Sequence, residues 1–199
     1  MTKNRIEAFS DGVLAIVITI MVLEMKVPEH GHEIQDLLPL LPVFSSYVLS
    51  FVYLGIYWNN HHHLLHAAEH SSAAILWANL HLLFWLSLIP FVTGWMGETD
   101  FAEQPTALYG VILLMAGIAY YILERALVAR HGADSTLARA LGHDLKGKSS
   151  VVLYLIAIPC ALWNRWVAGA IYVLVAILWL VPDRRIERAL VEKRRGEEE

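Results

Sequence analysis

Apolar residues in this chain fall into blocks long enough to cross a bilayer, separated by short polar stretches. A helix needs roughly 20 mostly apolar residues to span a hydrocarbon core about 30 Å thick, since it rises about 1.5 Å per residue. Ile6–Lys26 is the first such block, and Pro28 with the polar run Glu29, His30, His32, Glu33 and Asp36 closes it. The second covers about Leu40–His66, with Pro39 and Pro42 at its start, where proline is tolerated. The third is about Ser72–Met96, followed by a turn of Gly97, Glu98, Thr99 and Asp100. The fourth is about Thr106–Arg130, after which His131–Lys148 is too polar to span. The last block, Ser149–Pro182, is too long for one ordinary span and barely enough for two. At its middle Asn164 and Arg165 stand between Trp163 and Trp166, as in a tight turn at an interface, where indole rings prefer to sit. Division there predicts an all-α integral membrane protein with six transmembrane helices in residues 1–183 and a charged tail in 184–199.

The basic residues orient this arrangement, because lysine and arginine collect on the cytoplasmic side. Lys3 and Arg5 precede the first helix. Arg125, Arg130, Arg139, Lys146 and Lys148 surround the fourth connection. Arg184, Arg185, Arg188, Lys193, Arg194 and Arg195 follow the last helix. With six crossings, all 15 basic residues except Lys26 and Arg165 lie on one side, so both termini are expected in the cytoplasm. Five crossings would strand the six C-terminal bases outside.

Composition agrees with a bilayer solvent. The 199 residues are 57% hydrophobic and 17% charged, with a mean hydropathy of +0.49, against nearer a quarter charged in a soluble domain. The net charge of −4 adds little, since acids and bases occupy different places. Cys160 stands alone in an apolar run, which rules out an intrachain disulfide. Lys3 and Arg5 before Gly12–Leu23 imitate a leader peptide, but Glu24, Met25 and Lys26 follow in place of a small-residue cleavage site, so a retained helix is expected. A phosphate-cradling G-x-x-x-x-G-K-[ST], a G-x-S-x-G nucleophile elbow, a T-V-G-Y-G filter and an arginine-rich voltage-sensing helix are all absent from the sequence.

Two segments carry candidate chemistry. The first helix opens with Arg5, Glu7, Ser10 and Asp11 near or within the membrane, where an ionisable group normally faces protein or water and has a partner. A simpler account has Glu7 and Asp11 complementing the helix dipole while Arg5 snorkels to the headgroups. Beyond them Phe9, Val13, Ile16, Ile20 and Leu23 recur on one helical face, with Thr19 beside it. One copy of such a stripe packs against lipid or core, whereas several copies around an axis form an apolar constriction that gates by dewetting. The second segment is W-N-N-H-H-H-L-L-H-A-A-E-H, in which His62, His66 and His70 share a face near Glu69. Imidazoles four residues apart can chelate a transition metal, but only His81, His131 and His143 could add to the set. A metalloenzyme or haem protein built on His61, His62, His66, His70 and His81 is therefore the competing reading, and no cofactor or metal is otherwise called for.

Arg5-Ile6-Glu7-Ala8-Phe9-Ser10-Asp11 matches R-x-x-x-F-S-D, which resembles the first-helix signature of the lysosomal-type transmembrane potassium channel family and its bacterial homologues. Trp58 with His61, Asn79, and Ile89-Pro90-Phe91 look like further family positions, so the likeness covers essentially the whole chain. The resemblance implies a potassium-preferring cation channel rather than an enzyme. It would be a homotetramer in a prokaryotic plasma membrane, without a P-loop, passing monovalent cations and binding no nucleic acid. The first helix of each subunit would line the pore, with Ile16 at the principal constriction and Thr19, Ile20 and Leu23 on adjoining positions. Arg5, Phe9, Ser10, Asp11, Trp58, His61 and Asn79 would form a network joining the first three helices, with Arg5 and Asp11 pairing. Glu24 is expected at the outer mouth. Val17 and Val22, turned about 100° from Ile16 and Leu23 respectively, should face packing instead.

Overall fold

The computed structural model describes residues 3–28, 32–66, 72–131 and 145–180. Among them all regular structure is helical. In chain order these are α1 (Lys3–Leu23), a 3₁₀ turn (Ile34–Leu40), α2 (Leu41–His66), α3 (Ala73–Ser87), α4 (Ile89–Glu98), α5 (Glu103–His131), α6 (Leu145–Trp163) and α7 (Arg165–Leu180). Among the described residues four continuous stretches are long and apolar enough to cross a membrane: α1, the 3₁₀ turn with α2, α3 with α4, and most of α5. The shorter α7 is also apolar. The charged tail at 184–199, together with Glu69, His70, Arg139 and His143, lies outside the described residues.

Boundaries follow local chemistry. The expected turn at Asn164 separates α6 from α7, and the Asn164 side-chain oxygen accepts from the Trp166 N–H at 3.0 Å. The third apolar block, expected to be continuous, breaks at Leu88. Pro90 explains it: proline has no N–H for the carbonyl four residues back and disfavours helical backbone at the residue before it, yet fits the first turn of a new helix. The first helix begins at Lys3 rather than Ile6, so its first turn contains no acid. Glu7 and Asp11 both have side-chain partners on α2.

The core draws buried side chains from every helix, most of them from α2 to α7. There α5 packs on α3 and α6, α6 on α7, and α2 on α4, while α1 sits to one side against α2, α3 and α4. Small residues bring α2 and α4 together: a Cβ at Gly97 would lie 2.5 Å from Ser46 Oγ and 2.7 Å from Val43 Cα, so only glycine fits that crossing. Hydroxyl groups tie the interior together. Ser50 Oγ lies 2.6 Å from Thr93 Oγ1 and 3.0 Å from the Tyr109 hydroxyl. Tyr53 donates to the Tyr172 carbonyl at 2.6 Å, and Tyr172 to the Thr106 carbonyl at 3.0 Å. These bonds link α2, α4, α5 and α7 through groups that would be costly to leave unpaired in an apolar surround.

Candidate pore helix and its polar anchor

α1 presents two unlike faces. Ile6, Ser10, Leu14, Val17 and Met21 are buried against the bundle. On the other side Ile16 is 59% exposed, Ile20 41% and Leu23 80%, with Phe9 and Thr19 also exposed, and Glu24 just past the helix is exposed as well. Apart from Val13, which packs against the core, the apolar stripe is therefore a face that the single chain leaves uncovered. Val17 is packed, but Val22 is exposed, so the expectation of a packed Val22 is corrected: on the helical wheel it falls outside the arc that faces α2 and α3. The Thr19 hydroxyl donates to the Ile16 carbonyl at 2.9 Å and is satisfied within its own helix.

The first half of α1 is tied to its neighbours by polar side chains at successive turns. Lys3 Nζ donates to the His66 carbonyl at 2.8 Å, His62 Nδ1 lies 3.0 Å from Glu7 Oε1, and Trp58 Nε1–H donates to Asp11 Oδ1 at 3.0 Å. Each step of four residues along α1 is answered by a step of four back along α2. That is how two antiparallel helices keep facing rows in register. Trp58, His62 and His66 stack in sequence along this row, with ring centroids 6.4 and 5.9 Å apart.

Behind the row lies a buried relay across three helices. Ser10 Oγ donates to the Ile6 carbonyl at 2.8 Å and accepts from Asn79 Nδ2 at 3.0 Å. The Asn79 amide is thereby oriented, and its Oδ1 faces His61 Nε2 at 2.7 Å. An amide oxygen only accepts, so the imidazole carries its proton on Nε2. His61 Nδ1 is left buried without a hydrogen-bond partner among the described residues.

Of the residues expected to form one network, the structure thus brings together Ser10, Asp11, Trp58, His61 and Asn79. Arg5 and Phe9 are exposed. Among the described residues no ion pair joins Arg5 to Asp11, whose carboxylate meets the Trp58 indole instead. Lys3, Glu7, His62 and His66 were not foreseen as α1–α2 contacts. Their signal was the matched four-residue spacing in two segments that a short connection makes antiparallel. Among the described residues no three His, Cys, Asp or Glu side chains converge as a metal site would require. His81 instead accepts from Trp85 Nε1 at 3.0 Å.

At the far end of α1 the Glu24 carboxylate lies against α4, where a Cβ on Gly94 would come within 2.5 Å of Glu24 Oε2. Lys26 pairs with Glu98 at 3.3 Å in an exposed bridge.

The family model for the endosomal/lysosomal potassium channel TMEM175 matches residues 5–90, the segment holding the stripe and all of the anchor but Lys3. A protein named as a potassium channel from Chryseobacterium sp. (strain P1-3) is 52% identical over 96% of this chain and 100% of its own length. The chain belongs to the TMEM175 family. A second relative, named as a potassium channel from Chamaesiphon minutus, is 30% identical over 87% of this chain and 91% of its own. The crystal structure of a lysosomal potassium-selective channel TMEM175 homologue from Chamaesiphon minutus superposes with a TM-score of 0.78 at 29% identity, covering 91% of this chain and 97% of that one. The family and these relatives are described as channels, not enzymes.

Proposed function

We propose that this family member is a potassium-preferring cation channel of a prokaryotic plasma membrane. It works as a homotetramer in which α1 of each subunit lines a central pore. Six crossings with both termini in the cytoplasm place the anchor at the inner face and Glu24 at the outer mouth. Ile16, Ile20 and Leu23 form successive apolar rings, Ile16 the principal one and Thr19 beside it. A narrow apolar throat resists ions because it cannot replace the water they shed. Potassium and other monovalent cations pass when the rings widen enough to keep part of that water. One α1 cannot enclose a pore, so a closed cyclic assembly is required.

The observation that carries this reading is the uncovered apolar face of α1 beside a polar anchor at one end of the same helix. A helix held only as lipid-facing packing has no need of three side-chain ties to α2 and a buried relay to α3. The histidine-based metalloenzyme finds no support in the family or in the convergence of ligands among the described residues.

Ion flux in liposomes of purified protein tests the proposal, with potassium, sodium and chloride compared. Potassium flux exceeding sodium flux and negligible chloride flux are expected, from a species with the native mass of four chains. A conducting monomer, or equal anion and cation flux, would overturn it. Topology is read separately: with Cys160 replaced, a cysteine at Glu197 should resist labelling from outside intact cells.

A further inference from the structure

Away from α1, a cavity of about 520 Å³ opens between α2, α5, α6 and α7. Two contacts locate it. The Tyr120 hydroxyl donates to the Asn60 carbonyl at 3.1 Å, and Trp179 Nε1–H donates to Ser150 Oγ at 2.8 Å. These residues lie toward the bundle end that carries the start of α1, since Lys3 meets His66 there.

The lining is graded along the helix axes. Tyr53, Gly117 and Tyr154 border the part nearer mid-bundle, while Asn60, Glu124 and Lys148 border the part nearer the helix ends. The buried Glu124 is already engaged within the protein. Lys148 is exposed, and among the described residues it forms no ion pair. An apolar, aromatic chamber with a lysine at its rim suits an amphiphile with an anionic head. Its volume is within the range of small-molecule sites, about 300–1,000 Å³. At about 30 Å³ per water-sized group it has room for roughly 17 methylenes, the length of one fatty-acyl chain.

We infer that this cavity holds one acyl chain of an anionic phospholipid, drawn from the cytoplasmic leaflet, with the headgroup at Lys148. Basic pockets between helices at that leaflet recognise such headgroups. The assignment rests on the proposed membrane orientation and not on ion conduction.

Photolabelling tests it without a flux measurement. The purified full chain is placed in liposomes containing phosphatidylglycerol with a diazirine on one acyl chain, and adducts are mapped by mass spectrometry. Parallel arms use diazirine-bearing phosphatidylcholine and the free fatty acid. Phosphatidylglycerol adducts should concentrate on Tyr53, Tyr57 and Tyr154. Lys148→Gln should lower that labelling by about fivefold, the contribution of one basic residue near an anionic leaflet, and leave phosphatidylcholine labelling unchanged.

A Cβ at Gly117 meets only the Tyr57 hydroxyl, at 3.9 Å, so Gly117→Phe places its ring in the cavity and should abolish these adducts. Labelling spread evenly over the outer helix faces and indifferent to Gly117→Phe would overturn the site. Free fatty acid labelling that equals phosphatidylglycerol and falls equally with Lys148→Gln would overturn the phospholipid assignment. If Gly117→Phe loses its gel-filtration peak, the exposed Lys148→Gln decides alone: an unchanged ratio of phosphatidylglycerol to phosphatidylcholine labelling overturns the inference.

Discussion

The two halves of α1 are built by opposite rules. From Lys3 to Asp11 nearly every turn has a polar tie to α2 or α3, and the buried Ser10 is locked to Asn79. From Leu14 to Leu23 the helix touches the bundle only through apolar side chains such as Leu14, Val17 and Met21, and its other face is open. Polar bonds are directional, whereas apolar packing in a lipid environment tolerates some rotation. The first half therefore sets the azimuth of the second. Ile16 lies five residues beyond Asp11, about 7.5 Å along the axis, so a rotation at the anchor re-aims its uncovered face.

The largest effect should come from breaking the anchor at its buried centre. Asn79→Leu leaves the buried His61 Nε2–H without an acceptor, at a cost of about 1–3 kcal/mol, while the Ser10 hydroxyl loses the bond it accepts but keeps its own to the Ile6 carbonyl. The yield of assembled channel should collapse and its thermal midpoint fall, as read by gel filtration and a melting curve. Asp11→Ala removes one bond to a half-exposed indole and should cost less. Equal stability of Asn79→Leu and the parent would mean that the relay contributes nothing to the azimuth.

The second contrast lies within the open half. Ile16→Asn places amides on the uncovered face, so conductance should rise and potassium preference weaken. Val17→Asn, only one residue away but 4% exposed, buries an amide in packing. It should lower the folded yield and leave the permeation ratio of the surviving channels near the original. Reversal potentials of the two variants side by side give the answer. If they behave alike, this face of α1 does not line the conduction path. Val22, exposed on another side of the helix, cannot serve as the packing control.

How much of this was legible in the sequence differed between the same two halves. The stripe was readable because one helix's periodicity needs no knowledge of its neighbours, and the bilayer's thickness sets where spans begin and end. The break at Asn164 was readable from its flanking tryptophans. The anchor was only partly so: Trp58, His61 and Asn79 stood out through the family resemblance, but the pairing of Glu7 with His62 and of Lys3 with His66 depends on which α2 row faces α1. Pro90 was visible in the sequence, yet the apolar run on both sides of it concealed the break at Leu88. Gly94 and Gly97 show their purpose only when α1 and α2 are seen pressed against α4.

A smaller effect is expected where the open half of α1 ends. Gly94→Leu would drive a side chain into the space of the Glu24 carboxylate. The acid should swing away, and α1 should keep its anchor at the other end. Assembly is expected to survive, with conductance changed in the same direction as by removing the charge. Loss of the assembled species would show instead that the Glu24–Gly94 contact, and not the anchor alone, holds α1 in place.

The smallest effect, and the one most dependent on conditions, belongs to the charge itself. Under the tetrameric reading four Glu24 carboxylates surround the outer mouth and raise the local cation concentration. Their reach is set by the Debye length, about 30 Å at 10 mM salt and about 3 Å at 1 M. Glu24→Gln keeps the shape of the side chain and removes its charge. Single-channel potassium conductance should fall by roughly twofold at 10 mM and by nothing measurable at 1 M, where screening has already silenced the ring. The potassium-to-sodium ratio should stay constant, because a diffuse field near the mouth does not distinguish two ions of equal charge. A drop that persists at 1 M would place Glu24 in direct contact with the permeating ion. A changed ratio would move part of the selectivity from the apolar rings to the mouth. Neither result would disturb the anchor, whose bonds lie at the opposite end of the same helix.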